Sequence, residues 1–471
     1  MKEQSGYKYL IKNIGLLTLS SFATKILSFF LVPLYTSVLT TTEYGTYDLF
    51  NATIGVLLPI LTFNIQEAVL RFSLDKKDNR DAIVTISTKY FIISNLIVIL
   101  GLGINRFLMV SSIIAEYSLW FYLMFFIQSL SGIITYYIRG IDRVADLSLS
   151  SFITSIITIT CNVLFLVVFK WGLIGYFASN IIGPLVQCIF LTIRSKFLNN
   201  IKVQKYVAEE KEMIAYSKPL IANSIAWWVN NVSDRYVIVF FCGLAENGIY
   251  SVAGKIPSIL NIFQSIFNQA WTLSAVKEFD AEDKNGFFSN TYRAYNCMMV
   301  ILCSSIILCD KILAHFLYAK DFFSAWKYVP WLTIAILFGA LSGYIGGFFS
   351  AVKNSRVFAT STIMGAITNL VLNFIFTPIY GSMGAAVATA ICYLVVWAFR
   401  FWQSKKYIKL RVNIMRDVVS YILLAVQAIF LIMLDGIKMY GGISLIFVII
   451  CMLYTKDIIL VLDKAIRRKK V

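Results

Sequence analysis

The sequence predicts an all-α polytopic membrane protein with about fourteen transmembrane helices. We expect two parallel six-helix repeats, forming two lobes around a central cleft, and two additional C-terminal helices. Three observations predict this fold. Apolar residues make up 59% of the 471 residues and charged residues only 14%, against roughly a quarter charged in soluble domains. Many apolar runs reach the about 20 residues that a helix needs to cross a bilayer, and short motifs recur in the two halves.

Fourteen apolar runs are long enough to span a membrane, and the connections between them are short. In chain order, the predicted spans 1 to 14 are 10–36, 46–70, 83–105, 117–138, 147–169, 173–194, 217–242, 248–272, 287–309, 328–350, 357–379, 383–403, 417–434 and 441–461.

The distribution of Lys and Arg predicts the orientation of these spans. If the N-terminus is cytoplasmic, the cytoplasmic segments carry 32 of the 42 basic residues and the outer loops carry 6. The 32 include cations at the cytoplasmic ends of spans, such as Arg400 in the segment 400–416, and the remaining four, Lys25, Lys89, Arg235 and Lys255, lie inside spans. We therefore expect both termini in the cytoplasm and an even number of helices.

The net charge of +17 is accounted for by this positive-inside bias, so membrane lipids are a sufficient partner and no nucleic acid is expected. Most of the eight cysteines lie inside spans without C-x-x-C spacing, which is typical of small packing residues. We therefore predict no metal site, no cofactor and no disulfide. The single histidine, His315, is expected in an outer loop.

Two motifs recur in the same order along the chain. Glu-x-Gly-x-Tyr occurs at 43–47 and, 203 residues later, at 246–250. Gly-x-x-Gly occurs at 172–175 and, 209 residues later, at 381–384. Two motifs at nearly the same offset predict a duplicated six-helix unit.

The duplication predicts the domain organisation. We expect an N-terminal lobe at 1–215, a C-terminal lobe at 216–411, and two further transmembrane helices at 412–471. Because each copy has an even number of helices, both enter the membrane from the same side and are related by an axis along the membrane normal. Two such lobes that rock against each other are typical of a transporter.

The repeated motifs also suggest local roles. The glutamates precede spans 2 and 8, where a carboxylate favours the positive helix N-terminus. Gly45 and Gly248 are predicted to permit a tight turn, and Tyr47 and Tyr250 to lie in the interfacial aromatic belt. Three prolines inside spans 1, 2 and 8 are candidate hinges or static kinks: Pro33, Pro59 and Pro257.

Polar residues at helical spacing form one stripe on each of spans 1, 2, 7 and 8. The stripes include Asp48 in span 2, and Asn223, Trp227, Asn230 and Asp234 in span 7. Small polar residues alone could simply pack helices together. The cations favour a water-filled cavity, because a Lys or Arg at the bilayer centre costs roughly 2.5–3.5 kcal/mol.

Lys25, Arg235 and Lys255 are the cations of these stripes, and a cationic cavity favours an anionic ligand such as phosphate. For Arg235, a structural ion pair is as good an interpretation as contact with substrate. For Lys25 and Lys255 we favour contact with substrate.

Several segments resemble the polysaccharide-transporter flippases (oligosaccharide and O-antigen) of the multidrug/oligosaccharidyl-lipid/polysaccharide exporter superfamily. They are LVPLYTSVLTTTEYGTYDL (31–49), VLRF (69–72), SDRYVIVFFCGLAENGIYSVAGK (233–255) and PIYGSMGAAVAT (378–389). The resemblance spans most of residues 10–404.

The resemblance implies a flippase that moves an undecaprenyl-pyrophosphate-type lipid-linked oligosaccharide from the inner to the outer leaflet by alternating access. It places the protein in the bacterial cell (inner) membrane and implies products such as capsule or O-antigen. It assigns the cationic cavity to Lys25, Arg235 and Lys255, with Arg71 at the inner mouth. A polysaccharide polymerase or glycosyltransferases of the same pathway are further candidate partners. The protein is expected to be a transporter and not an enzyme.

Three alternatives stay open. A multidrug or cation antiporter of this fold usually holds an acidic residue in span 1 or 7, and Asp234 leaves room for this function. Lipid II flippases carry several arginines in the cavity of the N-terminal lobe, where this chain is expected to have one lysine. A membrane polymerase or ligase would need a sizeable outer loop, and the longest one, about 310–327, offers Asp310, His315 and Asp321.

Overall fold

The computed structural model of the protein describes residues 29–74, 80–352 and 354–459. Side chains are described throughout these ranges except at 269, 270, 272, 273, 276, 277 and 355. Within the described ranges the chain is helical and contains no strand. The predicted all-α fold is therefore confirmed.

The described part of the first half forms eight α-helices. They are α1 (Val32–Val38), α2 (Thr41–Leu61), α3 (Ile65–Ser73), α4 (Arg80–Leu108), α5 (Ser112–Glu116), α6 (Ser118–Gly140), α7 (Val144–Asn162) and α8 (Gly172–Ser195). A π-helical segment, Val163–Val168, continues α7, and a 3₁₀ turn, Phe197–Asn200, follows α8.

The described part of the second half forms ten α-helices. They are α9 (Val207–Val232), α10 (Asp234–Cys242), α11 (Leu244–Ala253), α12 (Ser258–Lys277), α13 (Phe287–Leu317), α14 (Val329–Ala351), α15 (Ser355–Tyr380), α16 (Ser382–Ser404), α17 (Ile414–Met433) and α18 (Gly436–Leu453). A 3₁₀ helix, Lys320–Lys327, links α13 to α14.

Ten helices within the described ranges are long and apolar enough to cross a membrane. They are α4, α6, α7 with its π-helical continuation, α8, and α13 to α18, and they correspond to predicted spans 3–6 and 9–14. The bent pair of α2 and α3 would be an eleventh and corresponds to predicted span 2. The polytopic membrane architecture is therefore confirmed.

The spans predicted to carry polar stripes are interrupted. In span 2, α2 and α3 meet at 61°. Span 7 is divided at Ser233 into α9 and α10, and span 8 is divided at 254–257 into α11 and α12. Span 1 is described only from residue 29, and α1 begins at Val32. Broken helices at membrane depth are tolerated where protein or a water-filled cavity satisfies the freed backbone groups.

All three candidate hinge prolines lie at these interruptions. Pro33 lies in the first turn of α1, Pro59 lies in the last turn of α2, and Pro257 immediately precedes α12. Proline removes a helical hydrogen bond and disturbs the preceding turn, which explains static kinks at these places. Hinge motion stays a prediction.

The bend between α2 and α3 contains two consecutive residues in the left-handed region, Phe63 with φ 53° and Asn64 with φ 51°. Asn adopts this conformation readily, but for a bulky residue such as Phe it is uncommon. The Asn64 amide donates to Ser224 Oγ of α9 at 3.3 Å. The bend is therefore set by backbone torsion and supported by a contact to α9.

The chain divides into two compact units, Met1–Trp228 and Val229–Val471. The division falls inside α9, thirteen residues after the predicted lobe boundary at 215/216. The six-helix duplication and its boundaries stay predictions.

In the first unit, α3 packs against α6, and α8 packs against α6 and α7. Phe50, Ile65, Phe125 and Phe177 are buried in its core. Lipid tails are as apolar as these side chains, so close packing, more than removal of water, stabilises the arrangement.

In the second unit, α14 packs against α12 and α16, and α17 and α18 pack against α13. Polar bonds connect these last two helices and the segment after α18. Tyr454 donates to Asp417 at 3.0 Å, Arg416 contacts both Asp417 and Asp457, and Arg293 of α13 lies 2.8 Å from Asp457. Residues 414–457 are therefore part of the second unit.

Helix α13 is longer than predicted and contains Asp310 and His315. The outer loop expected at about 310–327 is therefore wrong in extent, because 3.6-residue apolar periodicity continues to Leu317 and 320–327 is itself a 3₁₀ helix. Little irregular chain is left here for the acid/base loop of a membrane polymerase.

The predicted roles of the repeated motifs are partly right. Glu43 forms a capping box with Thr40 at the start of α2, and Glu246 lies in the first turn of α11. The turn role of Gly45 and Gly248 is wrong, because both are buried inside helices. The residue that turns the chain before α11 is Gly243, with φ 87°.

The second pair of motifs has the same local structure in both halves. Gly172 and Gly381 have φ 55° and 60°, and each lies at the start of a helix, α8 or α16. A Cβ on Gly175 would lie 2.9 Å from Phe165 Cβ, and one on Gly384 would lie 2.3 Å from the Phe376 carbonyl oxygen. Each glycine therefore lets its helix approach the preceding segment closely.

Candidate functional site

The predicted site residues fall into the two units. Lys25 lies outside the described residues. Asp48, Arg71, Asn223 and Trp227 belong to the first unit, and Asn230, Asp234, Arg235 and Lys255 belong to the second. The structure brings Asp234 into contact with Arg235 and with Tyr250.

Asp234 is the centre of a buried polar cluster and is only 6% exposed. The Tyr250 hydroxyl donates to one carboxylate oxygen at 2.6 Å. The other oxygen accepts the Arg235 backbone N–H at 3.0 Å and lies 3.2 Å from the Arg235 guanidinium. A buried carboxylate needs such partners because its desolvation costs several kcal/mol.

The break of predicted span 7 explains why Asp234 can accept these bonds. Helix α10 begins at Asp234, so the first amides of α10 have no helical acceptor. The carboxylate accepts one of them and lies at the positive end of the helix. The Ser233 hydroxyl donates to the Val229 carbonyl at 2.6 Å, which satisfies a backbone acceptor on the other side of the break.

Arg235 is held by its neighbours. Its guanidinium donates to the Asn231 carbonyl at 3.1 Å in addition to the pair with Asp234, and its side chain is 23% exposed. This geometry favours the structural ion pair over a free substrate-binding cation. The charges of Asp234 and Arg235 largely cancel at this point of the unit.

Asn230 extends the cluster toward α15 and α16. Its amide donates to the Thr362 carbonyl at 3.0 Å. Asn369, on the same helix as Thr362, donates to Thr389 at 3.4 Å and accepts from Ser233 at 3.4 Å. Amides and hydroxyls from α9, α15 and α16 therefore continue the polar cluster around Asp234.

Lys255 lies in the break between α11 and α12 and is partly buried. Its carbonyl accepts the Ser258 hydroxyl at 2.5 Å, and Pro257 follows two residues later. The break places a cation where the helix has freed backbone groups.

The first-unit residues lie on three different helices. Asp48 is partly buried in α2, Arg71 is exposed in the last turn of α3, and Asn223 is exposed in α9. Trp227 is 63% exposed, so its ring is available to a ligand or to lipid.

Two functional candidates were missed by sequence reasoning. Tyr250 was assigned to the interfacial belt, which is wrong because it is 3% exposed and donates to Asp234. Arg400 was counted with the cytoplasmic segment after span 12, but it lies inside α16 and is 5% exposed.

Arg400 connects three helices without a carboxylate partner among the described residues. It donates to Ser361 Oγ at 2.8 Å, to the Ser342 carbonyl at 3.0 Å and to Thr362 Oγ1 at 3.2 Å. Its guanidinium lies 4.2 Å from the Phe358 ring centroid. Its apolar sequence neighbours in AFRFW were the only signal that could have found it.

No group of three or more His, Cys, Asp or Glu that could hold a metal ion occurs in the described part of the chain. The eight cysteines are free thiols.

Comparison with known proteins identifies relatives of this fold and sequence. A protein-family model described as polysaccharide biosynthesis protein matches residues 10–273. The chain is 22% identical over 229 residues to a probable low-salt glycan biosynthesis flippase, Agl15, of Haloferax volcanii. That match covers 47% of this chain and 48% of the relative, so it spans about half of the length of each.

Two groups of solved structures share the fold. The lipid II flippase MurJ in an inward closed conformation gives a TM-score of 0.71 at 14% identity, over 94% of this chain and 99% of that one. An inward-facing multidrug resistance MATE family transporter gives 0.64 at 13% identity, over 84% of this chain and 95% of that one. At such identities the likeness shows the fold.

The matched family model covers more than half of the 471 residues and includes the motifs around Glu43 and Glu246. The chain therefore belongs to the polysaccharide biosynthesis protein family.

Proposed function

We propose that the protein is a flippase that moves a polyprenyl-pyrophosphate-linked oligosaccharide from the inner to the outer leaflet of the bacterial cell membrane by alternating access. The observation that carries this proposal is the family match over residues 10–273. The lipid-linked glycan would serve the synthesis of a cell-surface polysaccharide such as capsule or O-antigen. Residues 1–215 and 216–411 would be the two moving lobes.

The interrupted helices support a transport role. Spans 2, 7 and 8 break where their polar stripes run, and in transporters substrate sites commonly lie at discontinuous helices. The sugar and pyrophosphate would contact these stripes while the polyprenyl chain stays among lipid tails.

In this proposal, lysine side chains bind the pyrophosphate. Because Asp234 neutralises Arg235 at 3.2 Å, we assign the pyrophosphate to Lys25 and Lys255, with Arg71 at the inner mouth. Arg235, Asp234 and Asn230 would hold the broken span in shape. Asp48, Asn223 and Trp227 would contact the sugar.

The proposal is tested by reconstituting the full-length protein in proteoliposomes with a fluorescent undecaprenyl-pyrophosphate oligosaccharide. A membrane-impermeant glycosidase then measures how much lipid becomes accessible on the far leaflet. We expect transfer with the wild type, strong loss with Lys255→Ala or Lys25→Ala, and normal transfer with Lys170→Ala, which changes an exposed lysine. Normal transfer by both lysine variants would remove these two residues from the site.

The buried Asp234 favours a second candidate function, a multidrug or cation antiporter of the same fold. Efflux of a cationic dye, measured in the same vesicles with an imposed sodium or proton gradient, distinguishes the two. Dye efflux without glycan transfer would establish the antiporter and contradict the flippase. Transfer of lipid II in place of the oligosaccharide would identify the third candidate, a lipid II flippase.

A further inference from the structure

The first unit contains an apolar slot that the proposed transport function does not use. It is a cavity of about 370 Å³ between α4, α6, α8 and the 3₁₀ turn Phe197–Asn200. Ile134, Cys188 and Phe197 are buried and form its floor. Ile189, Ile193 and Leu198 form its walls and are 50%, 70% and 62% exposed.

The lining of the slot predicts the chemistry of its occupant. Apart from two threonine hydroxyls and one thiol, the lining side chains are apolar. Small-molecule pockets of about 300–1,000 Å³ normally contain a few placed polar groups that orient the ligand. A slot of this size with so few polar groups suits a hydrocarbon chain.

Cations collect at the end of the unit where the slot opens. Arg80 begins α4, Arg139 lies in the last turn of α6, and Arg194 lies in the last turn of α8. Lys196 follows between two lining residues, Ile193 and Phe197. The lining residues of α8 and of the turn after it lie beside Arg194 and Lys196, and those of α4 and α6 lie further along their helices from Arg80 and Arg139, so the slot extends inward from the end that carries these cations.

The carboxylates at this end that form ion pairs do so with cations other than Lys196: Asp81 lies 3.8 Å from Lys202, and Glu210 lies 2.7 Å from Lys89. Asp146 is shared by two arginines, Arg143 at 2.8 Å and Arg194 at 3.2 Å. Lys196 is exposed and makes no ion pair within the described ranges. One shared aspartate and one unpaired lysine leave excess positive charge beside the apolar slot.

The end with excess Lys and Arg is the one that the positive-inside rule assigns to the cytoplasm. The cytoplasmic leaflet carries anionic lipids, which attract basic residues at its surface. An apolar slot bordered by cations therefore complements both parts of such a lipid, its chain and its headgroup.

We propose that this slot binds one acyl chain of an anionic glycerophospholipid, whose headgroup phosphate contacts Lys196. The site belongs to the first unit alone and is independent of which substrate the protein transports. Its occupant would come from the bulk lipid of the cytoplasmic leaflet and not from the polyprenyl carrier.

Lys196 offers a variant that removes the charge without straining the backbone. Its φ is 54°, in the left-handed region, which Asn tolerates better than most residues. Lys170 has the same φ of 54°, is also exposed, and lies just before the opposite end of α8. Lys196→Asn and Lys170→Asn are therefore a matched pair that differ in distance from the slot.

The contribution of the Lys196 charge to lipid binding is tested by native mass spectrometry of the full-length protein with phosphatidylglycerol and phosphatidylcholine. We expect the wild type to retain phosphatidylglycerol preferentially, and Lys196→Asn to bind it about fivefold more weakly. Lys170→Asn should bind as the wild type does. Equal binding of both lipids, or equal loss in the two variants, would contradict the proposal.

The slot itself is tested with a second matched pair on α8. Ile189→Trp fills the slot, whereas Ile174→Trp changes an isoleucine of similar exposure, 45%, toward the other end of the helix. Only Ile189→Trp should release the retained phosphatidylglycerol. Displacement of that lipid by equimolar undecaprenyl phosphate would instead assign the slot to the carrier and overturn the proposal.

Discussion

The surroundings of Tyr47 and Tyr250, which the predicted repeat places at corresponding positions, differ in chemistry. Tyr47 lies among aromatic rings, with its centroid 4.5 Å from that of Tyr176, and Tyr35 and Tyr44 stack nearby at 5.0 Å. Tyr250 packs against Ile238, Ala385 and Ala386 and donates to Asp234.

The sequence offsets of the two repeated motifs, 203 and 209 residues, show which residues occupy corresponding positions around the two tyrosines. Position 238 corresponds to Tyr35, and position 385 corresponds to Tyr176. The rings at these two positions in the first half are thus replaced by an aliphatic and a small side chain in the second, where the Tyr328 ring centroid lies 6.1 Å from that of Tyr250. Asp234 corresponds to Leu31 and Arg235 to Val32. The same motif is stabilised by ring packing in one half and by a buried ionic cluster in the other.

The largest expected effect follows from removing the charge that exists in the second half only. Asp234→Leu leaves the guanidinium of Arg235 and the Tyr250 hydroxyl without the carboxylate. Breaking a buried pair on one side costs about 3–5 kcal/mol. We expect a large loss of thermal stability in detergent, measured by tryptophan fluorescence.

Placing the first-half residues at positions 234 and 235 tests the same comparison. Asp234→Leu combined with Arg235→Val copies Leu31 and Val32, and should recover a large part of the lost stability because no charge is left unpaired. A double variant no more stable than the single one would show that the two charges are not coupled.

The next effect concerns the two tyrosines directly. Tyr250→Phe removes a hydrogen bond to a buried carboxylate, worth about 1.5–3 kcal/mol. Tyr47→Phe removes a hydroxyl whose neighbour is the neutral amide of Asn51, worth about 0.5–1.5 kcal/mol. Thermal denaturation of both variants should rank them in this order, and the reverse order would contradict the distinction between the two regions.

The two halves also differ in how closely a helix approaches the segment before it, at Gly175 in the first half and at Gly384 in the second. The expected effect on stability is smaller. Gly384→Ala places a methyl group 2.3 Å from a backbone carbonyl, whereas Gly175→Ala places one 2.9 Å from a side-chain carbon. Overpacking costs about 1–3 kcal/mol, and the backbone atom cannot move aside. Expression and melting temperature should fall more for Gly384→Ala than for Gly175→Ala. Equal losses would contradict the closer packing at Gly384.

The smallest effect is expected at an exposed contact of the first unit. Lys89 lies 2.7 Å from Glu210, and its hydrogen bond lowers the pKa of Glu210, which precedes predicted span 7. A lowered pKa stabilises the folded protein above the unfolded pKa, and this stability is lost as the pH falls through the folded pKa.

Glu210→Gln should therefore slightly lower stability at neutral pH and have no effect in acid. Exposed pairs contribute little, so the measurement is a melting-temperature series over pH for the wild type and the variant. A difference that persisted at low pH would show a role other than charge.

Hydropathy was sufficient to predict the ten unbroken spans, because their length and apolar character decide membrane insertion. It could not detect the break at Ser233, where no proline occurs and the flanking polar residues, Asn230 and Asp234, also fit a stripe on an unbroken helix. Pro59 and Pro257 did mark breaks, since proline disturbs the preceding turn wherever it lies in a helix.

The candidate site was harder to predict than the fold. Asp234 and Arg235 were found because charge in an apolar run is conspicuous. The partner of Asp234 was missed because Tyr250 lies on another helix, and a contact between two helices leaves no periodic signal in the sequence. Arg400 was missed because a cation near a helix end resembles a cytoplasmic one until its burial is known.

The junction of α2 and α3 has a mechanical consequence. Phe63 and Asn64 are both held in the left-handed basin, and α3 is anchored in the core through Ile65, Ala68 and Val69. To straighten this bend, the φ angles of Phe63 and Asn64 would both have to leave the left-handed region while α3 stays packed in the core. The bend therefore favours discrete conformations over continuous bending, and a change between them would move α2 relative to α3.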